Sequence, residues 1–233
     1  IHLDHAGAAW WFAEQGATIY LHPKGMKHME DPSRLMSSAR RIYQDQMDSL
    51  WGDMHSINPA KLKAAADKEI FYIGDKKIQA WHTPGHAVHH VAWSCDKILF
   101  TGDVAGVKIE NGPVVPPCPP PDINLEDWIN SINSINEMPV EELYLTHYGI
   151  VVNKESHLVQ LKAILNDWAF WVKNKWEMGM EIQKMIPEFK EYVRQQLLNA
   201  GVNVEVIKQY EAANPSWMSV NGLVRYWEKK NNL

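Results

Sequence analysis

Hydrophobic and polar positions between residues 70 and 101 follow the two-residue period of β-strands. Ile70–Ile73 and residues 78–81 flank a Gly-Asp turn and predict a β-hairpin. Residues 91–94 and 98–100 flank a second short turn and predict another hairpin. The middle of the chain is therefore expected to form a sheet of short antiparallel strands.

The pattern before this region is mixed. Residues 6–15 are compatible with a helix, and residues 17–21 form a short β-rich run after a glycine. Asp31 can cap a helix that has Pro32 at its first position, and the apolar residues that follow predict a helix from about residue 32 to residue 50.

Residues 112–121 are too rich in proline for a helix or a central strand, so we predict an extended loop there. A helical pattern over 122–138 and a compact strand at 143–145 follow it. Beyond this strand the apolar residues recur three or four apart, which is typical of helices with one buried face.

Predicted helices in this last part carry apolar stripes over 158–176 and 182–197, with Gly201 as a stop and a final helix from Pro215. The change of pattern near Val151 predicts two domains. Residues 1–151 would form a mixed α/β domain, and residues 152–233 a helical domain or appendage.

Composition narrows the function classes. The 233 residues include 23 Lys+Arg and 28 Asp+Glu, for a net charge of −5, which disfavours a protein that binds the phosphates of nucleic acid. No apolar run approaches the roughly 20 residues of a membrane span. Cys95 and Cys118 are too few for a disulfide framework or a cysteine zinc cluster. We therefore expect a cytoplasmic protein with no membrane and no nucleic-acid partner.

Histidine is abundant, with 11 copies, and several of them stand with aspartates at predicted strand ends. The four motifs are His2-x-Asp4-His5, His82-Thr-Pro-Gly-His86, Thr101-Gly-Asp103 and Thr146-His147-Tyr-Gly149. Imidazole and carboxylate are ligands that suit divalent metals such as Zn²⁺. Loops at strand ends can bring distant ligands together, so the sequence predicts a metal centre.

The order of these motifs resembles that of the metallo-β-lactamase-fold hydrolases. Their signature runs His-x-His-x-Asp-His, then Thr-Pro-Gly-His, then a Gly-Asp after a strand, then a histidine at a final strand end. The resemblance covers Ile1 to about Gly149. It implies an α+β fold, the αββα sandwich of that family, and the appended helices look most like its glyoxalase II (hydroxyacylglutathione hydrolase) branch.

The resemblance also implies a set of ligands for two divalent ions, with Zn expected and Fe or Mn as alternatives. It assigns His2 and His86 to the first ion, Asp4, His5 and His147 to the second, and Asp103 to both as a bridge. In the hydrolysis that the family catalyses, Asp4 or Asp103 would also receive the proton of the water molecule that attacks the substrate.

Two departures from the family pattern stand out. The first histidine of the opening motif would lie immediately before Ile1, and family members have several strands before that motif. We expect that the chain lacks its N-terminal part. The alternative is a degenerate member of the family whose first metal site lacks one ligand. The second departure is His89, where relatives carry glycine.

Two bound metals lower the pKa of a bridging water to about neutrality and polarise a substrate carbonyl. We therefore predict a dinuclear hydrolase that uses metal-bound hydroxide on a small thioester or ester-like substrate. The alternatives are a lactonase, a metal-dependent nuclease, which the net charge disfavours, and a non-catalytic scaffold of the same fold.

Some residues have weaker predicted roles. His90 could face the substrate or support a ligand, but His89 and His90 precede a strand, and one of them is expected to pack inward. Tyr148 could donate a hydrogen bond to a developing oxyanion, or could equally be a packed aromatic residue. Trp168, Trp171 and Trp176 have helical spacing, which is typical of a core. The same aromatic surface could form a homodimer contact.

Overall fold

The computed structural model describes residues 1–231. The chain forms two compact units, Ile1–Glu69 and the remainder from Ile70 onward. Within the described residues, no helix combines the length and apolar character needed to cross a membrane.

The first unit consists of short helices and a small parallel pair of strands. Its helices are α1 (Leu3–Ala6), α2 (Ala9–Glu14), α3 (Met26–Glu30), α4 (Ser33–Tyr43) and α5 (Met47–Leu50), and its strands are β1 (Ile19–Leu21) and β2 (Leu62–Ala64). Ile19 pairs with Leu62. A small core collects buried residues, among them Met29, Met54 and Ile57.

The predicted helix over residues 32–50 is wrong in its continuity. It ends at Tyr43, a 3₁₀ turn follows, and α5 starts at Met47. Gln44 causes the break, because its φ of 48° and ψ of −119° lie outside the helical region. The predicted strand at residues 17–21 is confirmed as β1, and the segment 6–15 contains α2.

The second unit contains a six-stranded sheet in sequence order, with β3 and β8 at its edges. Its strands are β3 (Ile70–Ile73), β4 (Lys76–His82), β5 (Val91–Cys95), β6 (Ile98–Gly102), β7 (Glu142–Leu145) and β8 (Gly149–Val151). Neighbouring strands are antiparallel except β6 and β7, which are parallel. Both predicted hairpins are therefore confirmed.

Helices of the second unit complete its core. They are α6 (Leu125–Glu137), which connects β6 to β7, then α7 (Lys154–Glu177), α8 (Ile182–Asn199), α9 (Val204–Ala213) and α10 (Ser216–Asn231). Ala92, Leu99 and Leu143 occupy one face of the sheet and belong to the same buried cluster as Trp128 of α6 and Leu161 of α7. This apolar face and the helical stripes explain why the layers pack.

The predicted helical pattern of the last third is confirmed, but α9 was not predicted. Gly201 ends α8 as expected, yet Asn203 then caps a new helix by accepting a hydrogen bond from the Val206 N–H at 3.0 Å. The three-residue strands β2 and β8 were not predicted either. The domain boundary near residue 151 stays a prediction.

Candidate metal centre

In the second unit, His86, Asp103 and His147 lie together beyond the C-terminal ends of three strands of the sheet. They follow β4, β6 and β7, and these three strands run in the same direction because β4 and β6 are both antiparallel to β5. The carboxyl ends of these three strands therefore lie on the same side of the sheet. The order of elements alone explains why residues 61 positions apart, from 86 to 147, become neighbours.

Asp103 lies between the two histidines. His86 Nε2 is 3.2 Å from Asp103 Oδ2, and His147 Nε2 is 3.5 Å from Asp103 Oδ1. The side chains of His86 and Asp103 are 2% and 6% exposed, and that of His147 is 17% exposed. One buried carboxylate thus presents a different oxygen to each imidazole, which is the donor arrangement of a carboxylate that bridges two cations.

The tautomer of His86 favours metal binding. Its Nδ1 lies 2.8 Å from the carbonyl oxygen of Pro117, which can only accept a hydrogen bond, so Nδ1 carries the hydrogen. The lone pair of the neutral ring is then on Nε2, on the side of Asp103. Metal-binding histidines are commonly oriented in this way, and the nitrogen and oxygen donors fit a divalent ion such as Zn²⁺.

Helix α6 holds the loops that carry two of these residues. Trp128, fully buried, donates its indole N–H to the Val104 carbonyl at 2.8 Å, next to Asp103. Ser131 donates to the carbonyl of Pro84 at 2.6 Å. Gly85 lies close to the Trp128 backbone, and a Cβ on Gly85 would be 2.2 Å from the Cα of Trp128. This position of the Thr-Pro-Gly-His motif therefore requires glycine.

His157 of α7 supports the Asp103 loop from another side. Its Nε2 donates to the Ala105 carbonyl at 2.8 Å, and the residue is 4% exposed. Burial, followed by the positive charge of Lys108, lowers the pKa of His157, although the hydrogen bond to Ala105 acts in the opposite direction. A neutral imidazole with this tautomer satisfies a carbonyl that would otherwise be buried beside the site.

Helices α9 and α10 hold the proline-rich segment that supplies the Pro117 carbonyl. Tyr210 donates to the Pro113 carbonyl at 2.7 Å, and Asn214 Nδ2 donates to the Pro116 carbonyl at 3.0 Å. Gly222 lies against the same segment, where a Cβ would be 2.0 Å from the Cys118 carbonyl oxygen. The C-terminal helices therefore fix the backbone group that orients His86.

Cys118 is not a candidate nucleophile. It is fully buried, and this burial raises the pKa of its thiol above the usual range, so the sulfur stays protonated near neutral pH. Its Sγ donates to the carbonyl of Pro116. The predicted extended loop at residues 112–121 is confirmed, and its function here is structural.

The first unit carries the remaining predicted ligands around α1. His2 stands at the N-cap position, and Asp4 and His5 lie in the single turn that follows. Asp4 Oδ2 is 3.4 Å from His5 Nε2, with side chains 32% and 24% exposed. Burial, and then the negative charge of Asp4, raises the pKa of Tyr43. Three candidate donors are thus concentrated on one short segment.

Two further predicted residues, His90 and Tyr148, lie beside the candidate metal ligands of the second unit. Both ring nitrogens of His90 take part in hydrogen bonds, with Thr83 and with the backbone of Asp103. The ring of Tyr148 stacks edge-on against that of His147 at 5.2 Å and is 56% exposed. The geometry favours a supporting position for His90, while a substrate contact by Tyr148 stays a prediction.

Comparison with known proteins decides the family. The sequence profile of the Metallo-beta-lactamase superfamily matches residues 1–147, more than half of the chain. The chain belongs to the metallo-β-lactamase superfamily. The fold-level prediction made from the four motifs is thereby confirmed, whereas membership of the glyoxalase II branch is a narrower hypothesis.

Relatives within the superfamily support this assignment. The chain is 30% identical over 167 residues to the metallo-beta-lactamase fold-containing protein ST1585 of Sulfurisphaera tokodaii, a match that covers 69% of this chain and 63% of that protein. The chain thus spans less than two thirds of that relative's length.

Two solved structures of the superfamily are also similar. One, an archaeal superfamily protein named ST1585 from Sulfolobus tokodaii, has a TM-score of 0.61 at 28% identity and covers 69% of this chain and 64% of that chain. The other, TTHA1429 from Thermus thermophilus, has a TM-score of 0.63 at 14% identity and covers 99% of this chain and 73% of that chain, which shows the fold alone.

Sequence reasoning about this superfamily member missed the groups that hold the ligands. The Pro117 carbonyl has no side-chain signal, and Trp128, Ser131 and His157 look like ordinary members of helical patterns. His157 offered one usable sign, because a histidine on the apolar face of a helix needs a buried hydrogen-bond partner.

Proposed function

We propose that this protein is a dinuclear metal-dependent hydrolase that cleaves a small thioester or ester-like substrate. The supporting observation is the position of Asp103 between His86 and His147, with one carboxylate oxygen toward each Nε2. Together with membership of a superfamily that consists mostly of metal-dependent hydrolases, this arrangement favours catalysis over a scaffold role.

The proposed ligands of the two ions come from all four motifs. Following the order of the motifs, His2 and His86 would hold one ion, Asp4, His5 and His147 the other, and Asp103 both. A histidine immediately before Ile1 would complete the opening motif, and the coding sequence upstream of Ile1 tests this part of the proposal.

Each group has a proposed part in the reaction. Two bound divalent ions, with Zn²⁺ as the first candidate, would lower the pKa of a bound water to about neutrality and polarise the scissile carbonyl. Asp103, and Asp4 from the opening motif, would accept the proton released by that water. His86 keeps its donor nitrogen oriented through Pro117, and the hydroxyl of Tyr148, a residue that is exposed, would donate to the substrate oxygen.

A substrate panel tests the proposed reaction class. Purified protein loaded with Zn²⁺, Fe²⁺ or Mn²⁺ is assayed with thioesters, lactones, phosphodiesters and a chromogenic cephalosporin, before and after chelation. We expect thioester hydrolysis that chelation abolishes and added metal restores. Preference for lactones or phosphodiesters would replace the proposed class, and turnover by metal-free protein would overturn the mechanism.

A matched pair of variants connects activity with the site. Asp103→Asn keeps the size of the side chain but removes its negative charge, so it should lose nearly all activity. Asp96→Asn changes an exposed aspartate that pairs with Lys76 at 2.8 Å, and it should keep wild-type activity. Equal activity of both variants would contradict a catalytic or metal-binding role of Asp103.

A further inference from the structure

The loop that carries His86 is closed at its base by Thr83 and His90. The Thr83 N–H donates to the His90 carbonyl at 3.1 Å. In addition, Thr83 Oγ1 lies 2.7 Å from His90 Nδ1. Because these residues stand at the end of β4 and just before β5, the pair fixes both ends of the loop between the two strands.

His90 also contacts the second loop of the centre. The backbone N–H of Asp103 donates to His90 Nε2 at 3.1 Å. A backbone N–H can only donate, so Nε2 must hold a lone pair, and in a neutral ring the hydrogen is on Nδ1, from which it is donated to Thr83 Oγ1. The two contacts thus require one tautomer and connect the His86 loop with the Asp103 loop.

Gly102 is shaped for this ring. Its φ is +56°, and a Cβ on it would lie 2.5 Å from His90 Nε2, closer than any side chain permits. The strand register between β6 and β7 also shifts between Phe100 and Gly102. Glycine before Asp103 therefore admits the imidazole to the backbone N–H of the aspartate.

We propose that His90 is a positioning residue that aligns the Asp103 carboxylate between His86 and His147. By holding the backbone of Asp103 to the base of the His86 loop, the ring fixes the two groups at the 3.2 Å separation of His86 Nε2 and Asp103 Oδ2. Partners of this kind that stand behind metal ligands typically matter about 10–100-fold for metal affinity. The affinity part of this inference rests on the proposed metal site.

Nitrogen NMR of the histidine rings tests the hydrogen bonds without reference to activity. In the protein, recorded with and without Zn²⁺, His90 should show a protonated Nδ1 and an unprotonated Nε2. A coupling across the hydrogen bond should connect His90 Nε2 with the amide nitrogen of Asp103. A protonated Nε2 in both states would overturn the proposal, whatever the activity of the protein.

Variants of His90 test what the contact does. His90→Phe keeps a ring but has no acceptor, so we expect about 10–100-fold weaker Zn²⁺ binding in competition with a chelator. His90→Gln places an amide oxygen where Nε2 stood and should recover most of the affinity. Tyr192→Phe, which removes a hydrogen bond to Asp167 in the helical region, is the control and should bind like wild type.

The outcomes separate this inference from the proposed function. Wild-type binding by soluble, folded His90→Phe would contradict the positioning role. If that variant does not fold, Thr83→Val removes the hydroxyl that accepts from Nδ1 at nearly the same volume. The less firmly held ring should then show a weaker coupling to the Asp103 amide and the variant weaker Zn²⁺ binding, and wild-type values of both would contradict the positioning role. If wild-type protein binds no metal, the proposed function fails, and the NMR result still decides the hydrogen bonds.

Discussion

The imidazole of His86 donates from Nδ1 to the backbone carbonyl of Pro117 at 2.8 Å. This contact joins a candidate metal ligand to a proline-rich segment that the C-terminal helices hold in place. Because a carbonyl oxygen can only accept a hydrogen bond, this contact fixes the tautomer and the orientation of the imidazole. The helical part of the chain is therefore expected to influence metal binding from outside the ligand set.

Gly222→Ala should disturb this connection. The new Cβ would lie 2.0 Å from the Cys118 carbonyl oxygen, so the proline-rich segment or α10 must move. We expect a loss of about 1–3 kcal/mol in the free energy of unfolding and weaker Zn²⁺ binding. Urea unfolding and chelator competition measure the two effects. The control Asn221→Ala removes only a bond to the Trp217 carbonyl within α10. Equal metal affinity of the two variants would argue against the connection.

Trp128→Phe should destabilise the second unit. The change removes the indole donor to the buried Val104 carbonyl and leaves a void in a fully buried position. An unfolding free energy lower by about 2–4 kcal/mol is expected from the lost hydrogen bond and cavity. Trp81→Phe is the matched control, since Trp81 is only half-buried and bonds to the Ser94 hydroxyl. Thermal or urea unfolding should show the smaller loss for Trp81→Phe.

His157 should make stability depend on pH in the mildly acidic range. Burial lowers its pKa in the folded protein, so below the ordinary value of about 6.5 the unfolded chain binds a proton more readily. Its contribution is therefore present above that pH and is lost as the pH falls toward the lowered pKa.

His157→Gln keeps a donor for the Ala105 carbonyl but does not titrate. Urea unfolding of wild type and variant at pH 7.5 and pH 5.5 should show a smaller loss of stability for the variant. Identical losses would mean that His157 is protonated equally well in the folded and unfolded chain.

Gln44→Gly should stabilise the first unit. Gln44 has a φ of 48° and a ψ of −119°, which glycine adopts more easily than a residue with a Cβ. The expected gain is about 1 kcal/mol in the free energy of unfolding. Gln46→Gly, in the 3₁₀ turn with a negative φ of −81°, should instead be neutral or destabilising. A loss of stability in both variants would show that position 44 is unstrained.

The sequence predicts this fold well where periodic patterns are long. The two hairpins, α6, α7 and α8 follow directly from alternation or helical stripes. The break at Gln44 could not be predicted, because nothing in its residue type indicates a positive φ. Likewise, α9 is short and is preceded by a stop at Gly201, although Asn203 was a recognisable cap.

The candidate site divides in a similar way. The order of the histidine and aspartate motifs predicted His86, Asp103 and His147 as ligands. The directions of the strands explain why these three side chains lie close together. The supporting contacts were not predictable, since a backbone carbonyl such as that of Pro117 has no signature in a sequence. The same holds for the ring of His90, whose position depends on how two loops fold against each other.

Metal binding by the wild-type, Asp103→Asn and Asp96→Asn proteins, measured by elemental analysis after equilibrium dialysis against Zn²⁺, Fe²⁺ or Mn²⁺, shows whether Asp103 belongs to a metal centre. If Asp103 binds metal between His86 and His147, the wild-type and Asp96→Asn proteins retain zinc, up to two ions per chain, and Asp103→Asn loses most of it. A wild-type chain that retains no zinc, iron or manganese, or an Asp103→Asn variant that retains as much as wild type, would show that Asp103 does not hold a metal.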